Sequence, residues 1–206
     1  MQSTGALYII AAASGTGKTS LARALEQTLG NIKISISHTT RPMRIGEIAD
    51  QSYFFVTPAE FQRMIAQQAF LEYAQVFADH YGTSRAFVDQ QLQRGMDVLL
   101  DIDWQGAMQI KKLYPESVSI FLLPPSRAEL QQRLQLRKRE DAQIIAHRMS
   151  LASSEIQHCA EFDYIVINDD FARALQELQT IITANRLRTS KQLVTHAQLL
   201  EELTKE

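Results

Sequence analysis

This sequence has little of several features that mark specialised protein classes. Cysteine occurs once, at Cys159, which excludes a disulfide within the chain and a cysteine-based zinc site. Lys and Arg total 21 against 23 Asp and Glu, without the basic excess typical of a nucleic-acid-binding protein. The apolar run at residues 6–13 is far shorter than the roughly 20 residues that a membrane helix needs. We therefore expect a cytoplasmic protein that binds neither nucleic acid nor membranes.

The composition is that of an ordinary folded protein, since 45% of the 206 residues are hydrophobic and 21% are charged. Short apolar runs alternate with stretches of helical spacing, and this alternation predicts an α/β fold with a parallel sheet flanked by helices. The four predicted strands of the sheet cover residues 7–12, 98–102, 118–122 and 164–167.

Two stretches interrupt this alternation. Residues 36–83 carry short polar and aromatic runs around one helix, whose start is marked by a capping box from Thr57 to Glu60. They predict a small insertion with its own mixed sheet. Residues 127–148 hold six of the 21 basic residues, after a second capping box that begins at Ser126. Such a charge run is typical either of a solvated helical face or of a segment that binds anions.

A phosphate-binding loop follows the first predicted strand and leads into a helix. Gly15 and Gly17 allow successive backbone N–H groups to converge on one anion at the helix N-terminus. Lys18 can reach the β- and γ-phosphates of a nucleotide, and the Thr19 hydroxyl can bind Mg²⁺. Ala12 stands where the pattern usually has its first glycine, which costs little if its φ is negative. The residues predicted to bind the phosphates are Ala12, Ala13, Ser14, Gly15, Thr16, Gly17, Lys18 and Thr19.

Two aspartates follow the second apolar run of the predicted sheet. Asp101 can hold a water molecule on Mg²⁺ beside the phosphate-binding loop. Asp103 points to the same side of an extended chain, because strand side chains alternate. Either carboxylate could instead cap the helix that follows. Together with the loop, these residues predict an enzyme that binds a nucleoside triphosphate.

The insertion carries groups that suit a second substrate. Arg41 and Arg44 lie three residues apart among hydroxyl side chains, and arginine forks suit phosphate oxygens. Tyr53 adds an O–H donor. Further along, Glu72 supplies a carboxylate and Thr83 a hydroxyl. A carboxylate with a hydroxyl matches the N1–H, N2–H and O6 groups of guanine, whereas adenine presents the opposite pattern.

At these positions the chain resembles the guanylate kinase family. The resemblance runs from about residue 5 to about residue 186 and rests on the segments SISHTTRPMRIGE, YFF, FLEYA, YGTS and LLDIDWQGA, in that order. It implies a nucleoside monophosphate kinase of purine metabolism that transfers the γ-phosphate of ATP to GMP, and also to dGMP, with Mg²⁺. The implied parts are a core (5–35, 84–126 and 149–186), a GMP-binding insertion (36–83), a lid (127–148) and a helical tail (187–206).

Carried over by position, the resemblance also assigns roles to single residues. Those implied to read the guanine are Ser37, Glu72, Thr83 and Asp103, and those implied to bind the GMP phosphate are Arg41, Arg44, Tyr53 and Tyr81. Those implied to be catalytic are Lys18, Arg41, Arg137 and Arg148. Arg137 and Arg148 would close on the ATP phosphates with the lid, and Arg133 is a weaker candidate. Asn168 would lie near the adenine, while Thr19 would bind Mg²⁺ directly and Asp101 through water.

The chain departs from the family pattern at two further places. Thr83 replaces the commoner serine but keeps the hydroxyl, and Lys138 follows Arg137 where the family usually has glycine, which bears on the flexibility of the lid. Two alternatives remain open. A guanylate-kinase-like module that only binds a phosphorylated peptide would typically lack Lys18 or the lid arginines. A kinase for another small phosphate acceptor would not need Glu72.

The C-terminal residues 190–206 predict one amphipathic helix, with Leu193, Ala197 and Leu200 on its apolar face. This helix could pack on the core of its own chain or against a second subunit. The sequence does not decide between a monomer and a homo-oligomer.

Overall fold

The computed structural model describes residues 4–76, 78–137 and 142–205 of the chain. The strands are β1 (Leu7–Ala12), β2 (Ile32–Ser35), β3 (His38–Thr39), β4 (Phe54–Phe55), β5 (Phe70–Val76), β6 (Asp79–Ser84), β7 (Asp97–Asp101), β8 (Val118–Leu123) and β9 (Tyr164–Ile167). The helices are α1 (Lys18–Thr28), α2 (Pro58–Ala66), α3 (Arg85–Gln93), α4 (Trp104–Leu113), α5 (Arg127–Arg137), α6 (Ala142–Gln157), α7 (Phe171–Arg186), α8 (Thr189–Thr195) and α9 (Ala197–Thr204), with a 3₁₀ turn at His158–Glu161.

Five strands form the central sheet in the order β2-β7-β1-β8-β9, and every neighbouring pair runs parallel. The predicted α/β fold is thus confirmed, and each predicted strand lies within one residue of an observed one. Strand β1 is central and its side chains are buried on both faces, as parallel strands covered by helices require. Within the described ranges, no helix is long and apolar enough to cross a membrane.

Two apolar clusters cover the two faces of the central sheet. On one face, Leu21 and Leu25 of α1 pack with Leu178 and Ile182 of α7 against alternate residues of β1. On the other face, Ala107 and the rest of α4 pack with residues of α3 and of the strands. Because all five strands are parallel, their carboxyl ends meet at one edge. The loop after β1 and the residues that follow β7 therefore lie side by side at this edge.

The insertion forms a second sheet of four strands in the order β4-β3-β6-β5. Strand β3 is parallel to β4 and antiparallel to β6, so the sheet is mixed, as predicted. Helix α2 begins where the capping box indicated: Pro58 is its first residue, and the Thr57 hydroxyl accepts a 3.2 Å hydrogen bond from the amide of Glu60. The buried side chain of Phe61 then joins α2 to the sheet, 4.7 Å from the ring of Phe70.

Two helices follow β8 in the region predicted to be a lid. Helix α5 starts after Ser126, whose hydroxyl accepts a 3.1 Å hydrogen bond from the amide of Glu129. Helix α6 continues through residue 148, where the predicted lid ends, and reaches Gln157. Residues 138–141 between the two helices, with Lys138, lie outside the described ranges.

The tail differs from its prediction in two respects. It forms two helices, α8 and α9, which meet at His196 instead of continuing as one. It does not pack on the core of its own chain: within residues 187–205 no side chain is buried, and Leu193 is 54% exposed. The physical reason is position, since α7 ends at Arg186 with the apolar surface of the sheet already covered.

Candidate active site

The loop between β1 and α1 has the backbone of a phosphate-binding cradle. Gly15 and Gly17 have φ values of 94° and 98°, in the left-handed region that favours glycine. Ala12 ends β1 and is not among the described residues with positive φ, so alanine is unstrained there. Thr16 is fully buried, and its hydroxyl donates a 2.8 Å hydrogen bond to the carbonyl of Ala13. The loop is therefore preformed.

The carboxylate of Asp101 contacts the side chains of both Lys18 and Thr19, which follow the loop. The ammonium of Lys18 lies 2.7 Å from Oδ1 of Asp101 and donates to the carbonyl of Ile102 at 2.5 Å. The hydroxyl of Thr19 donates a 2.9 Å hydrogen bond to Oδ2 of Asp101. Burial lowers the pKa of Lys18, but Asp101, together with Tyr53 and Asp103, outweighs it, so the net pKa lies above its ordinary value. The lysine therefore carries a charge at neutral pH.

Asn168, which follows β9, hydrogen-bonds to the phosphate loop. The side-chain nitrogen Nδ2 of Asn168 donates a 2.7 Å hydrogen bond to the carbonyl of Thr16, and Asn168 is buried. A Cβ at Gly17 would lie 2.6 Å from that nitrogen, so glycine is needed at this close approach as well as for its φ. Arg133 of α5 donates to the carbonyl of Asn168 at 3.1 Å. A cavity of about 380 Å³ opens here, lined by Gly15, Gly17, Ser20, Arg133, Leu136, Asn168, Asp169 and Phe171.

A second cavity, of about 360 Å³, lies between the central sheet and the insertion, and its lining includes Thr19, Ser37, Arg41, Arg44, Tyr53, Tyr81 and Asp101. Its wall contains Arg41, which is 7% exposed. Nη1 and Nη2 of Arg41 lie 3.0 and 2.7 Å from the two carboxylate oxygens of Glu47. This hydrogen-bonded pair raises the pKa of Arg41 and lowers that of Glu47. Nε of Arg41 is buried and has no hydrogen-bond partner among the described residues.

Aromatic rings surround this guanidinium. Its central carbon lies 5.3 Å from the ring centre of Tyr53 and 5.8 Å from that of Phe55, which are cation–π distances. The ring of Tyr81 stands edge-on to that of Tyr53 at 5.9 Å. Burial, together with the nearby Asp101, raises the pKa of Tyr53, so its phenol remains a proton donor at neutral pH. The exposed Arg44 adjoins the pair through its amide, which donates to Glu47 at 2.7 Å.

A buried carboxylate lies where the insertion meets the core. Glu72 on β5 is 3% exposed, and Oε1 accepts a 2.5 Å hydrogen bond from the hydroxyl of Thr83, its register partner on β6. Burial raises the pKa of Glu72 to about 7, with a further contribution from Asp103. A Cβ at Gly106 of α4 would lie 2.5 Å from Oε2 of Glu72, so the helix can approach the carboxylate only because this residue is glycine.

Asp103 begins α4, as the helix-cap alternative indicated. Its Oδ1 accepts a 2.8 Å hydrogen bond from the amide of Gly106. The cap uses one carboxylate oxygen, and the other accepts a 3.4 Å hydrogen bond from the side-chain amide of Gln105, while the charge of Asp103 acts on the nearby Glu72. Ser37 is 8% exposed and lines the second cavity. Of the four residues predicted to read the guanine, the structure brings Glu72, Thr83 and Asp103 close together, and it places Ser37 in the lining of the second cavity.

The predicted lid arginines differ in how they are placed. Arg137 ends α5, and its side chain lies outside the described part of the chain. Arg148 lies on α6 and is half-buried. Arg133 turns back to the core, where Nη1 approaches the carbonyls of Asn168 and Thr16. Arg133 therefore braces the phosphate loop in this structure.

Two contributors to the site were not predicted. Glu47 pairs with Arg41 across six residues, and Gly106 makes room for Glu72 across 34 positions of the chain. For Glu47 a local signal existed, since a carboxylate stands three residues after Arg44. For Gly106 the sequence holds no such signal, because the contact depends on how α4 docks against β5.

Comparisons with known proteins agree with this geometry. The profile of the guanylate kinase family matches residues 4–185. The chain is 53% identical to the guanylate kinase of Sodalis glossinidius and 49% identical to that of Acinetobacter baylyi, in both cases over 97% of each sequence. Among solved structures, the guanylate kinase of Anaplasma phagocytophilum superposes with a TM-score of 0.81 at 31% identity, covering 100% of this chain and 99% of that one.

Proposed function

Since this chain belongs to the guanylate kinase family and transfers the γ-phosphate of ATP to GMP, giving ADP and GDP, we propose that its two cavities are the two substrate sites. The cavity beside Asn168 and Phe171 takes ATP, with the phosphates in the loop from Ala12 to Thr19. The cavity between core and insertion takes GMP, and accepts dGMP as well. This division follows the proposed parts of the chain: a core, an insertion at 36–83 and a lid at 127–148.

On the ATP side, the donor set near the phosphate loop suits Mg²⁺. The Thr19 hydroxyl and the Asp101 carboxylate are both oxygen ligands, 2.9 Å apart, and Mg²⁺ is usually held by one or two such groups together with substrate phosphates. Thr19 would hold the ion directly and Asp101 through water. When bound, Mg²⁺ neutralises charge on the β- and γ-phosphates. Lys18 then turns from Asp101 towards the transferred phosphoryl group.

On the GMP side, residues where the insertion meets the core recognise the base. Glu72 accepts hydrogen bonds from N1–H and N2–H of guanine, while Thr83 and Ser37 supply hydroxyls and Asp103 a second carboxylate. Phosphate recognition falls to Arg41, Arg44, Tyr53 and Tyr81. Glu47 accepts from Nη1 and Nη2 of Arg41, whereas the buried Nε has no hydrogen-bond partner among the described residues, so a phosphate oxygen bound here would supply the acceptor that Nε lacks.

The reaction needs no covalent intermediate on the protein. An oxygen of the GMP phosphate attacks the γ-phosphorus in line, and catalysis consists of positioning two polyanions and neutralising the charge that develops. Lys18, Arg41 and the lid residues Arg137 and Arg148 are proposed to do this. Lid closure also excludes water, which would otherwise hydrolyse ATP.

The observation that carries the assignment of substrate is the buried Glu72–Thr83 pair, which lies on the same insertion as Arg41. It is tested by measuring ADP release with ATP, Mg²⁺ and a panel of GMP, dGMP, AMP, UMP and CMP, with chelator as a control. Turnover is expected with GMP and dGMP and should stop without the divalent ion. Turnover with AMP or UMP but not GMP would overturn the assignment. Binding of GMP without any turnover would favour the binding-module alternative.

The cytoplasmic location of the protein stays a prediction.

Gly106→Ala is expected to raise the KM for GMP about tenfold, while the KM for ATP changes less than twofold. The added methyl group would stand 2.5 Å from Oε2 of Glu72, so the carboxylate must turn and lose a charged hydrogen bond to the base, worth about 1.5–3 kcal/mol. Melting temperatures should show a folded protein, because the preference of alanine for a helix, up to about 1 kcal/mol, offsets part of the crowding at Glu72. Gly30→Ala is the matched control, since a Cβ there meets no atom within 4 Å. A KM for GMP within twofold of wild type would contradict this role of Gly106.

Arg148→Ala is expected to lower kcat about a hundredfold with less than a threefold change in the KM for GMP. A lid arginine acts on the ATP phosphates once both substrates are bound, and one such electrostatic group is worth about 10²–10³ in rate. Arg127→Ala, an exposed position at the start of the same basic stretch, should leave kcat unchanged. Steady-state kinetics at saturating ATP separate the two parameters. If Arg148→Ala weakens only GMP binding, Arg148 belongs to the other site.

A further inference from the structure

Helix α6 rests on the phosphate loop through more than its apolar side chains. Met149 and Ala152 are buried against Ala13, the second residue of the loop. One turn further along, Glu155 accepts a hydrogen bond from the backbone: the amide of Ser14 lies 3.3 Å from Oε2. An exposed glutamate is ordinarily a solubilising residue of a helix, but Glu155 is half-buried and directed at the cradle for the ATP phosphates.

The charge of Glu155 is unusual for this place, since a carboxylate near a phosphate site repels the substrate. Burial raises the pKa of Glu155 above its ordinary value and Asp103 adds to this, against the opposing effects of the hydrogen bond from Ser14 and of Lys18. Phosphate binding does not account for a carboxylate at this place, and its hydrogen bond to Ser14 points to a structural task instead.

The spacing of residues on α6 indicates that Glu155 holds the part of the helix that carries Arg148. Arg148, Ala152 and Glu155 are separated by four and three residues, so they lie along one face of the helix. The packing of Ala152 on Ala13 turns this face towards the phosphate loop. Arg148 therefore stands two turns, or about 10 Å, from the point where Glu155 is fastened to Ser14.

Just beyond Glu155, a second contact ties the same end of the helix to the core. The imidazole of His158 stacks on the indole of Trp104 with ring centres 3.5 Å apart and planes 7° apart. Trp104 is the first residue of α4, directly after Asp103. The C-terminal end of α6 is thus attached both to the phosphate loop and to the helix that borders the residues proposed to recognise guanine.

We infer that Glu155 is a positioning residue for phosphoryl transfer: by fastening α6 to the amide of Ser14, it sets where Arg148 stands over the ATP phosphates. The inference rests on the proposed role of Arg148 in the lid. Glu155 acts through this arginine and does not touch either substrate.

A double-mutant cycle tests it. Glu155→Ala should lower kcat about tenfold with the KM for GMP within twofold, whereas Glu155→Gln, which keeps a carbonyl oxygen to accept from Ser14, should retain at least half of the wild-type kcat. In the Arg148→Ala background, Glu155→Ala should cost less than a further twofold. Ser154→Ala, an exposed neighbour on the same helix, is the control. Melting temperatures measured alongside should show folded proteins throughout.

The outcomes separate this inference from the proposed function. If Arg148→Ala leaves kcat unchanged, the lid assignment fails, and with it the basis for this role of Glu155. If Arg148→Ala lowers kcat but Glu155→Ala does not, the lid assignment stands and the inference is overturned. A full tenfold loss in both backgrounds overturns it too, since Glu155 would then act independently of Arg148.

Discussion

Replacing Lys18 with alanine is expected to lower kcat by about 10²–10³-fold while the protein stays folded. The ammonium is held by Asp101 and by the carbonyl of Ile102, next to the phosphate loop. During transfer it has to follow the phosphoryl group as that group passes from ADP to an oxygen of the GMP phosphate. Neither cavity has a lysine in its lining as the structure describes it, so Lys18, next to Thr19 of the second cavity, has no lysine beside it that could replace it.

Two further variants make the Lys18 experiment decisive. Lys18→Met keeps most of the side-chain volume and should be as inactive as Lys18→Ala, which would separate loss of charge from loss of packing. Lys112→Ala, an exposed lysine on α4, should behave as wild type. Single-turnover rates with preformed enzyme, ATP, Mg²⁺ and GMP report the chemical step. A folded Lys18 variant with the kcat of the wild type would contradict the assignment of this loop to the ATP site.

The phosphate loop was open to prediction from the sequence because its determinants are local. Strand, loop and helix follow one another within 22 residues, and Gly15 and Gly17 in the sequence indicate directly where the backbone needs a positive φ. Even the departure at Ala12 was decided by local geometry, since the residue ends a strand. The same reasoning located the mixed sheet of the insertion, where the capping box at Thr57 marks the start of its helix.

What could not be predicted depends on contacts between distant parts of the chain. The approach of α4 to β5 at Gly106 is a matter of docking, and nothing near Gly106 indicates that a carboxylate will occupy the space of its missing side chain. The packing of the tail was also beyond the sequence. Its apolar spacing left open whether it covers the core of its own chain or a second subunit, because spacing does not report whether the core still has apolar surface to cover.

Glu72→Gln is expected to raise the KM for GMP about 10- to 150-fold, which corresponds to the 1.5–3 kcal/mol of a lost charged hydrogen bond. The amide keeps the volume, and its oxygen can still accept from Thr83, but its N–H₂ group faces the donors of guanine. Discrimination against AMP should narrow, because the wild-type carboxylate repels the N1 acceptor of adenine, and sites built in this way reject the wrong partner by factors of about 10⁴. The KM for ATP should stay within twofold, and Glu60→Gln on the exposed face of α2 should change neither parameter.

The pH dependence of the same variant supplies an independent test. Burial raises the pKa of Glu72; Asp103 adds to this rise and Thr83 and Lys18 oppose it, and the net value is about 7. Only the ionised carboxylate accepts both N–H groups of guanine, so the wild-type KM for GMP should rise up to tenfold for each pH unit below about 7. The GMP phosphate also titrates, near pH 6. That contribution is shared by Glu72→Gln, so the difference between the two profiles isolates Glu72.

Stability should move in the direction opposite to affinity. The folded protein holds the Glu72 proton up to about pH 7, whereas a glutamate in the unfolded chain loses it near pH 4.5. Between these values the folded state binds more protons, so the wild-type free energy of unfolding decreases as pH rises, by an amount on the order of 3 kcal/mol, and stays lower above pH 7. Glu72→Gln lacks this loss and should be the more stable protein at pH 8 by urea denaturation without GMP. A carboxylate that serves only the fold would give the reverse, a less stable variant with unchanged GMP binding, and that result would place the guanine reader elsewhere.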